Sequence, residues 1–291
     1  MPIGYLKRML KGAQAGRYGI AAFNMIDYNS ARAIVGGAQE LAAPIVVQLS
    51  TKTIRLWGAK PIGQWVHAIA ADSDVPVALH LDHCTDVQVI NRCVDAGWTS
   101  VMFDGSALPF GENMKQSKAV YDLTQAAGVG LEAELGAISG VEDDKFVAED
   151  KSVLADRDEC LAFCKEMPEL AAFAPAIGTA HGFYSGAPKI NYDLLKFVSD
   201  RISIPIALHG GTGLTDEQFH RCISLGCAKV NISTMHKKHY IDGFLDVARA
   251  EKKPSEPIPY IEGQCKAMKA DVLDMIRTFG SAGRAGELLA V

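Results

Sequence analysis

Short apolar runs alternate with segments of helical period along nearly the whole chain, and this alternation constrains the fold more than any other feature. Eight strand-like runs can be read: Gly19–Phe23, Ile45–Leu49, Val77–Leu81, Ser100–Phe103, Gly130–Leu135, Phe173–Gly178, Ile204–Leu208 and Ala228–Ile232. Between and after them lie helical patterns near Asn29–Leu41, Trp57–Ala71, Asp86–Asp95, Asn113–Gln125, Asp156–Glu166, Asn191–Asp200, Asp216–Ser224 and His236–Ala248. Strand followed by helix, eight times over, is the pattern of an α/β fold closed as a (β/α)8 TIM barrel. An open doubly wound sheet would carry a GxGxxG turn after its first strand, and the chain has none there. One barrel domain is therefore expected over residues 1–291. From about Lys253 a Pro-bearing stretch, KKPSEPIPY, leads into an amphipathic helix, Ile261–Phe279, as a C-terminal extension.

Composition narrows the function classes. A chain that is 48% hydrophobic and 22% charged can fill a full globular core. A net charge of −5 without a basic stripe argues against nucleic acid as a partner. No apolar stretch approaches the roughly 20 residues that cross a bilayer, so no membrane association is expected. The first residues lack the basic start and apolar core of a signal peptide. Seven cysteines, odd in number and without a CxxC pair, read as free thiols in a reducing, cytoplasmic setting.

The chemistry gathers at strand ends. His83, His181 and His209 each stand at or just past the end of an apolar run, in VPVALHLDH, AFAPAIGTAH and ISIPIALHGGTG. Imidazoles delivered by separate strands to one rim of a barrel can share a divalent metal. In HLDH, His80 and Asp82 have the same strand parity. Asp82 is the candidate for proton transfer near a polarised carbonyl, and His80 reads as a hydrogen-bonded interior residue. Asp104, Glu132 and Glu134 follow on the next two strands. Carboxylates turned into a barrel need a cation or donors, so Asp104 and Glu134 stand as alternative metal ligands or as groups orienting the histidines. Cys84 follows His83 directly and is a minor ligand candidate. The acid-rich stretch GAISGVEDDKFVAEDKS (Gly136–Ser152) has no helical period, and Glu142 within it is the candidate base on a closing loop.

The seventh and eighth strands end in HGGTGL and KVNIST. Gly210 and Gly211 let the backbone approach a ligand closely, and the loops after these strands form the usual phosphate site of such barrels. Asn231 and Thr234 complete that reading.

Taken together, HLDH, SVMFDGS, EAELGAISGVEDD, AIGTAHG, LHGGTGL and KVNIST occur in the order seen in the class II (zinc-dependent) ketose-bisphosphate aldolases. The chain resembles that family, which includes fructose- and tagatose-bisphosphate aldolases, from about Ala21 to Thr234. The resemblance implies Zn2+ on His83, His181 and His209, with or without an accompanying monovalent cation. It implies Asp82 as proton donor to the aldehyde oxygen and Glu142 as the mobile-loop acid. It further implies Gly182, Gly210, Gly211, Thr212, Asn231, Ile232, Ser233 and Thr234 as a cradle for dihydroxyacetone phosphate, with Asn24 and Ser50 touching the substrate. The partner is then a phosphorylated sugar, cleaved reversibly to dihydroxyacetone phosphate and an aldehyde.

Two departures concern the aldehyde half. Fructose-specific members resemble NIDTD or NVDTD where this chain has NISTM, so Ser233 and Met235 replace acids. The second strand runs into STKTIRLWGAK rather than a glycine- and alanine-rich loop. Lys52, Arg55, Lys237 and Lys238 are candidates for a distal phosphate. A Schiff-base aldolase would need a buried lysine at a strand end, and Lys229 opens its strand and is expected toward the opposite rim. A barrel metal hydrolase and a non-catalytic sugar-phosphate-binding subunit remain as alternatives. The amphipathic tail, on the barrel's outside or against a second chain, is consistent with a homodimer or homotetramer.

Overall fold

A computed structural model describes residues 4–142, 145–147, 153–182, 188–250 and 255–289, with backbone alone for 141, 142, 145–147 and 289. Eight parallel strands form a closed barrel: β1 (Ile20–Asn24), β2 (Ile45–Ser50), β3 (Val77–Cys84), β4 (Ser100–Phe103), β5 (Gly130–Leu135), β8 (Ala172–Pro175), β10 (Ile206–Leu208) and β11 (Cys227–Ile232). Closure is made by β1 pairing with β11, with Ile20 opposite Lys229 and Phe23 opposite Ile232. The helices are α1 (Leu6–Gly16), α2 (Tyr28–Glu40), α3 (Thr51–Trp57), α4 (Ala59–Ala71), α5 (Val87–Asp95) and α6 (Phe110–Ala127). They continue with α7 (Arg157–Glu166), α8 (Tyr192–Ser199), α9 (Asp216–Ser224), α10 (Thr234–Ala250), α11 (Ile258–Thr278) and α12 (Ala285–Leu289). Among the described residues, no helix is long and apolar enough to cross a membrane.

Strand parity explains the two sides of the barrel wall. Phe23, Val47, Leu79, Leu81, Val101, Leu131, Phe173, Leu208 and Val230 pack with helix residues such as Ile34, Val66, Ile90, Phe163 and Phe219 in one buried cluster. The alternate positions carry small residues toward the strand starts and polar ones toward the strand ends. Ala22, Val46, Ala78, Ala172, Ala174 and Ala207 cluster with Leu6, Met9, Leu10 and Ala13 of α1. This helix is absent from the strand–helix pattern read above, although its apolar residues recur at i, i+3, i+4 and i+7. Gly4 N–H donates to Val77 O at 2.8 Å and ties the segment to the start of β3.

Two other stretches depart from the sequence expectations. The sixth strand stops at Pro175, and three residues on Gly178 at φ +95° turns the chain out of extended geometry. His181 consequently lies in a separate short strand, β9 (Ala180–His181). The stretch after β5 contains a hairpin, β6 (Ser139–Glu142) with β7 (Lys145–Val147), and β6 runs parallel to β9. At the other end, α11 buries Met268, Val272 and Ile276 and lies on the chain's own α2, where a Cβ at Gly37 would stand 2.7 Å from Val272 Cγ1. Ile241, Phe244 and Ile258 stay exposed on α10 and α11.

Candidate active site

Asp82 and His83 are neighbours, so on a regular strand their side chains would leave opposite faces of the sheet. Both instead reach the same mouth, because His83 takes φ +43° where the β3–β4 register slips between Leu81 and Cys84. A left-handed backbone on a residue with a Cβ costs on the order of 1–3 kcal/mol, and it is held only where the surroundings enforce it.

Asp82 is fully buried and gripped by three amides. Asn24 Nδ2 and Gln48 Nε2 each donate to Oδ2 at 3.1 Å, and Asn231 Nδ2 donates to Oδ1 at 3.2 Å. A carboxylate has about four acceptor positions, so this grip fixes its orientation and leaves capacity to exchange a proton. Asn24, expected as a substrate contact, is thus engaged with Asp82 and also accepts from Gln48 Nε2 at 2.9 Å. Ser50 is buried and lies beside Asp82 in the β2–β3 register.

His83, His181 and His209 each offer a nitrogen, and the three nitrogens lie within 4.8 Å of one another. His83 Nδ1–H donates to Asp104 Oδ2 at 3.1 Å, and His209 Nε2–H donates to Glu132 Oε1 at 2.7 Å. The remaining nitrogens, His83 Nε2 and His209 Nδ1, face each other at 2.8 Å. Two lone pairs repel at that distance, so a proton or a shared cation must lie between them. Imidazoles whose far nitrogens donate to carboxylates are the arrangement a divalent metal uses, and these residues fit one. Glu134 Oε2 stands 3.8 Å from His83 Nδ1 and 3.5 Å from His209 Nδ1. With His83 and Asp104 it forms a second group able to hold an ion.

Below this layer Lys229, expected toward the opposite rim, meets the inward-facing Glu132 in a buried ion pair. The Cα of Lys229 is indeed near the strand starts, opposite Ile20, but its four-carbon stem carries the ammonium upward inside the barrel. Its Nζ donates to Asn231 Oδ1 at 2.7 Å and pairs with Glu132 Oε2 at 2.9 Å, with both partners buried. Burial alone would raise the Glu132 carboxyl, but Lys229, then the hydrogen bond from His209, hold its pKa well below the usual carboxylate range. Burial, reinforced by Lys229, pushes His80 well below the ordinary histidine value, and its Nδ1 lies 3.0 Å from Ser100 Oγ. Cys84 donates to Asp86 O at 3.3 Å, its thiol is pushed up by burial, and it joins neither group able to hold a metal.

The glycine loop meets this cluster from the β10 side. Gly210 has φ +65°, and a Cβ there would stand 2.5 Å from Ala180 O, the residue before His181. A Cβ at Gly211 would stand 2.9 Å from Asn231 O, so the loops after β10 and β11 abut. Thr212, Ile232 and Ser233 are buried, Gly182 and Thr234 half-buried, and Thr234 opens the 17-residue α10. The amino end of that helix offers backbone N–H groups and a positive dipole end to an anion. Of the four lysine and arginine candidates, Lys52 and Arg55 are exposed on α3, and Lys238 pairs with Asp242 one turn on. Glu142 ends β6, two residues after Gly140, whose register partner is His181; its side chain lies outside the described residues.

Comparison with known proteins decides the family. Residues 5–284 match the family described as fructose-bisphosphate aldolase class-II. The chain belongs to this family.

The aldolase is 35% identical over 290 residues to the fructose-bisphosphate aldolase of Geobacillus stearothermophilus, covering 99% of this chain and 100% of that one. It is 38% identical over 237 residues to the 6-phospho-5-dehydro-2-deoxy-D-gluconate aldolase of Halalkalibacterium halodurans, covering 80% and 81%. In structure it resembles the YdjI aldolase from Escherichia coli K12, with a TM-score of 0.86 at 27% identity over 98% of this chain and 100% of that one. Gln48 was the aldolase's unread site residue. Its signal was an amide at an inward position of a strand that is otherwise Ile, Val and Leu up to its closing Ser50.

Proposed function

We propose that the aldolase reversibly cleaves a ketose phosphate to dihydroxyacetone phosphate and an aldehyde, using Zn2+ held by His83, His181 and His209. The observation that carries this reading is the convergence of those imidazoles beside a buried carboxylate oriented by three amides. A divalent ion there supplies Lewis-acid stabilisation of the charge that builds on the ketose carbonyl oxygen. Asp82 takes the proton of the hydroxyl on the aldehyde half as the carbon–carbon bond breaks. The bond's electron pair stays with the three-carbon half, whose carbon is then reprotonated from Glu142. Gly182, the Gly210–Thr212 loop and the Asn231–Thr234 segment at the start of α10 bind the phosphate and fix the three-carbon half against the carboxylate.

Ser233 and Met235 stand where the fructose-specific pattern has acids, which favours a tagatose-type or otherwise altered acceptor over the fructose-type one. The similarity to enzymes named for both a fructose bisphosphate and a deoxygluconate phosphate supports a phosphorylated or deoxy acceptor of altered shape. Lys229, paired with Glu132, is not available to form a Schiff base. The test offers zinc-replete protein a panel of aldehydes with dihydroxyacetone phosphate and scores rate and product configuration. Condensation lost with a chelator, and no adduct trapped by borohydride, are the expected results. Ester or amide hydrolysis without carbon–carbon bond formation, or tight binding without turnover, would replace this reading.

A further inference from the structure

We infer that Lys229 is a positioning residue that sets the direction of hydrogen bonding on both sides of the site, fixing the tautomer of His209 and the amide orientation of Asn231. The inference rests on the reading that His83, His181 and His209 hold the divalent ion. Lys229 Nζ is a pure donor, fully buried, with Glu132 Oε2 at 2.9 Å and Asn231 Oδ1 at 2.7 Å. The Glu132 contact is an ion pair and the Asn231 contact a hydrogen bond, and a cation that can only donate draws an oxygen of each partner toward it.

On one arm, Glu132 presents Oε2 to the ammonium and Oε1 to His209 Nε2 at 2.7 Å. His209 Nε2 must then carry the proton, which leaves the Nδ1 lone pair for the ion. On the other arm, Asn231 presents Oδ1 to the ammonium, so its Nδ2 must point at Asp82 Oδ1, 3.2 Å away. One buried cation thereby couples the ligand nitrogen of a metal histidine to the carboxylate assigned to proton transfer. His80, whose Nε2 is 3.4 Å from Glu132 Oε2, is the other ionisable side chain beside that oxygen among the described residues.

Directionality gives a test that a merely structural ion pair would fail. In Glu132→Gln, Lys229 still demands an oxygen, so the new amide turns its NH2 toward His209 Nε2. That nitrogen must then accept, the His209 proton moves to Nδ1, and the ion loses a ligand. Removing the demand in Lys229→Met/Glu132→Gln frees the amide to turn its oxygen to His209. Zn2+ affinity is read by competition with a chelating dye, and folding by thermal unfolding of the metal-free proteins. Glu132→Gln is expected to weaken Zn2+ roughly 10–100-fold, as loss of a ligand-orienting partner does. The double variant should recover to within a few-fold of wild type.

A double variant that binds Zn2+ as weakly as Glu132→Gln, or more weakly, overturns the inference while leaving the metal reading intact. Wild-type protein that takes up no divalent ion overturns the metal reading and the inference with it. Should Glu132→Gln fail to fold, 15N NMR of histidine-labelled, metal-free wild type and Lys229→Met decides the matter. His209 protonated at Nε2 in wild type and no longer held to that tautomer in Lys229→Met supports the inference; the same single tautomer in both proteins overturns it.

Discussion

Asp82→Asn is the sharpest perturbation of the site, because it keeps the shape of the side chain and reverses the sense of one hydrogen bond. Two donors converge on Oδ2 and one on Oδ1. The amide therefore settles with its oxygen on the two-donor side and its NH2 against Asn231 Nδ2. Asn231 cannot turn over to compensate, since its own oxygen accepts from Lys229 at 2.7 Å. One buried donor loses its partner, a loss of about 1–3 kcal/mol. In a chain of this size each kcal/mol lowers Tm by roughly 2–4 °C. The imidazoles keep their own anchors, Asp104 and Glu132, so Zn2+ content stays near wild type. Removing the proton-transfer group lowers kcat by about 10²–10⁴-fold, on the order of 3–5 kcal/mol of barrier. The measurements are dihydroxyacetone phosphate release, bound metal and thermal unfolding. A variant whose kcat stays within about threefold of wild type would refute the role given to Asp82.

Four further outcomes are expected. His209→Ala should lower bound zinc, and full occupancy in that variant removes His209 from the ligand set. Gly210→Ala forces a Cβ to 2.5 Å from Ala180 O at φ +65°, so the loop must move; both zinc content and affinity for dihydroxyacetone phosphate should fall, and unchanged values would refute the contact. Burial holds His80 and His236 below the ordinary histidine value, so below pH about 6.5 the unfolded chain binds protons that the folded one refuses. Stability should fall as pH drops from 7.5 to 5.5, by up to about 1.4 kcal/mol per unit for each histidine, and equal denaturant midpoints at the two values in the presence of chelator would contradict this. If exposed Ile241, Phe244 and Ile258 meet a second chain, Ile241→Glu should shift the particle toward monomer in light scattering, and an unchanged mass would free that surface from the role.

The barrel was legible because its outward positions are apolar and its helices amphipathic, two periods that survive in any alternation of strand and helix. The inward positions were legible only in part. Glu132 and Glu134 announced themselves as charges at matching parity, whereas Gln48 sits in a run of Val and Leu and raises no charge signal. Lys229 is expected toward the opposite rim because a place at the start of a strand reports where the Cα stands, whereas its stem carries Nζ along the strand to Asn231 Oδ1. His181 was placed by its motif and not by its strand, since the turn at Gly178 moves it to a small rim sheet that no periodicity marks. Glu142 shares that sheet through Gly140, a pairing between segments about forty residues apart in the chain. Such long-range registers depend on how two loops meet, and local sequence carries no trace of them.

The interior polarity carries one more consequence. Among the described residues, Asp82, Asp104, Glu132 and Glu134 are buried carboxyl groups, and Lys229 is the buried ammonium that faces them. Counted as ionised, the four carboxylates outnumber the one ammonium, and burying that excess is costly unless hydrogen bonds or a cation offset it. The excess is concentrated at the strand ends, around His83 and His209, where Asp104, Glu132 and Glu134 converge. A dication at the imidazoles removes most of the imbalance, whereas a monovalent ion alone leaves twice the remainder. Neutral ligands would then matter, because Asp104 and Glu132 would act through hydrogen bonds from His83 and His209 and a bound ion would keep more of its charge for a substrate oxygen. The alanines and α1 at the other end supply an ordinary apolar core, so the strain of the charged mouth is borne by a barrel already closed and packed beneath it.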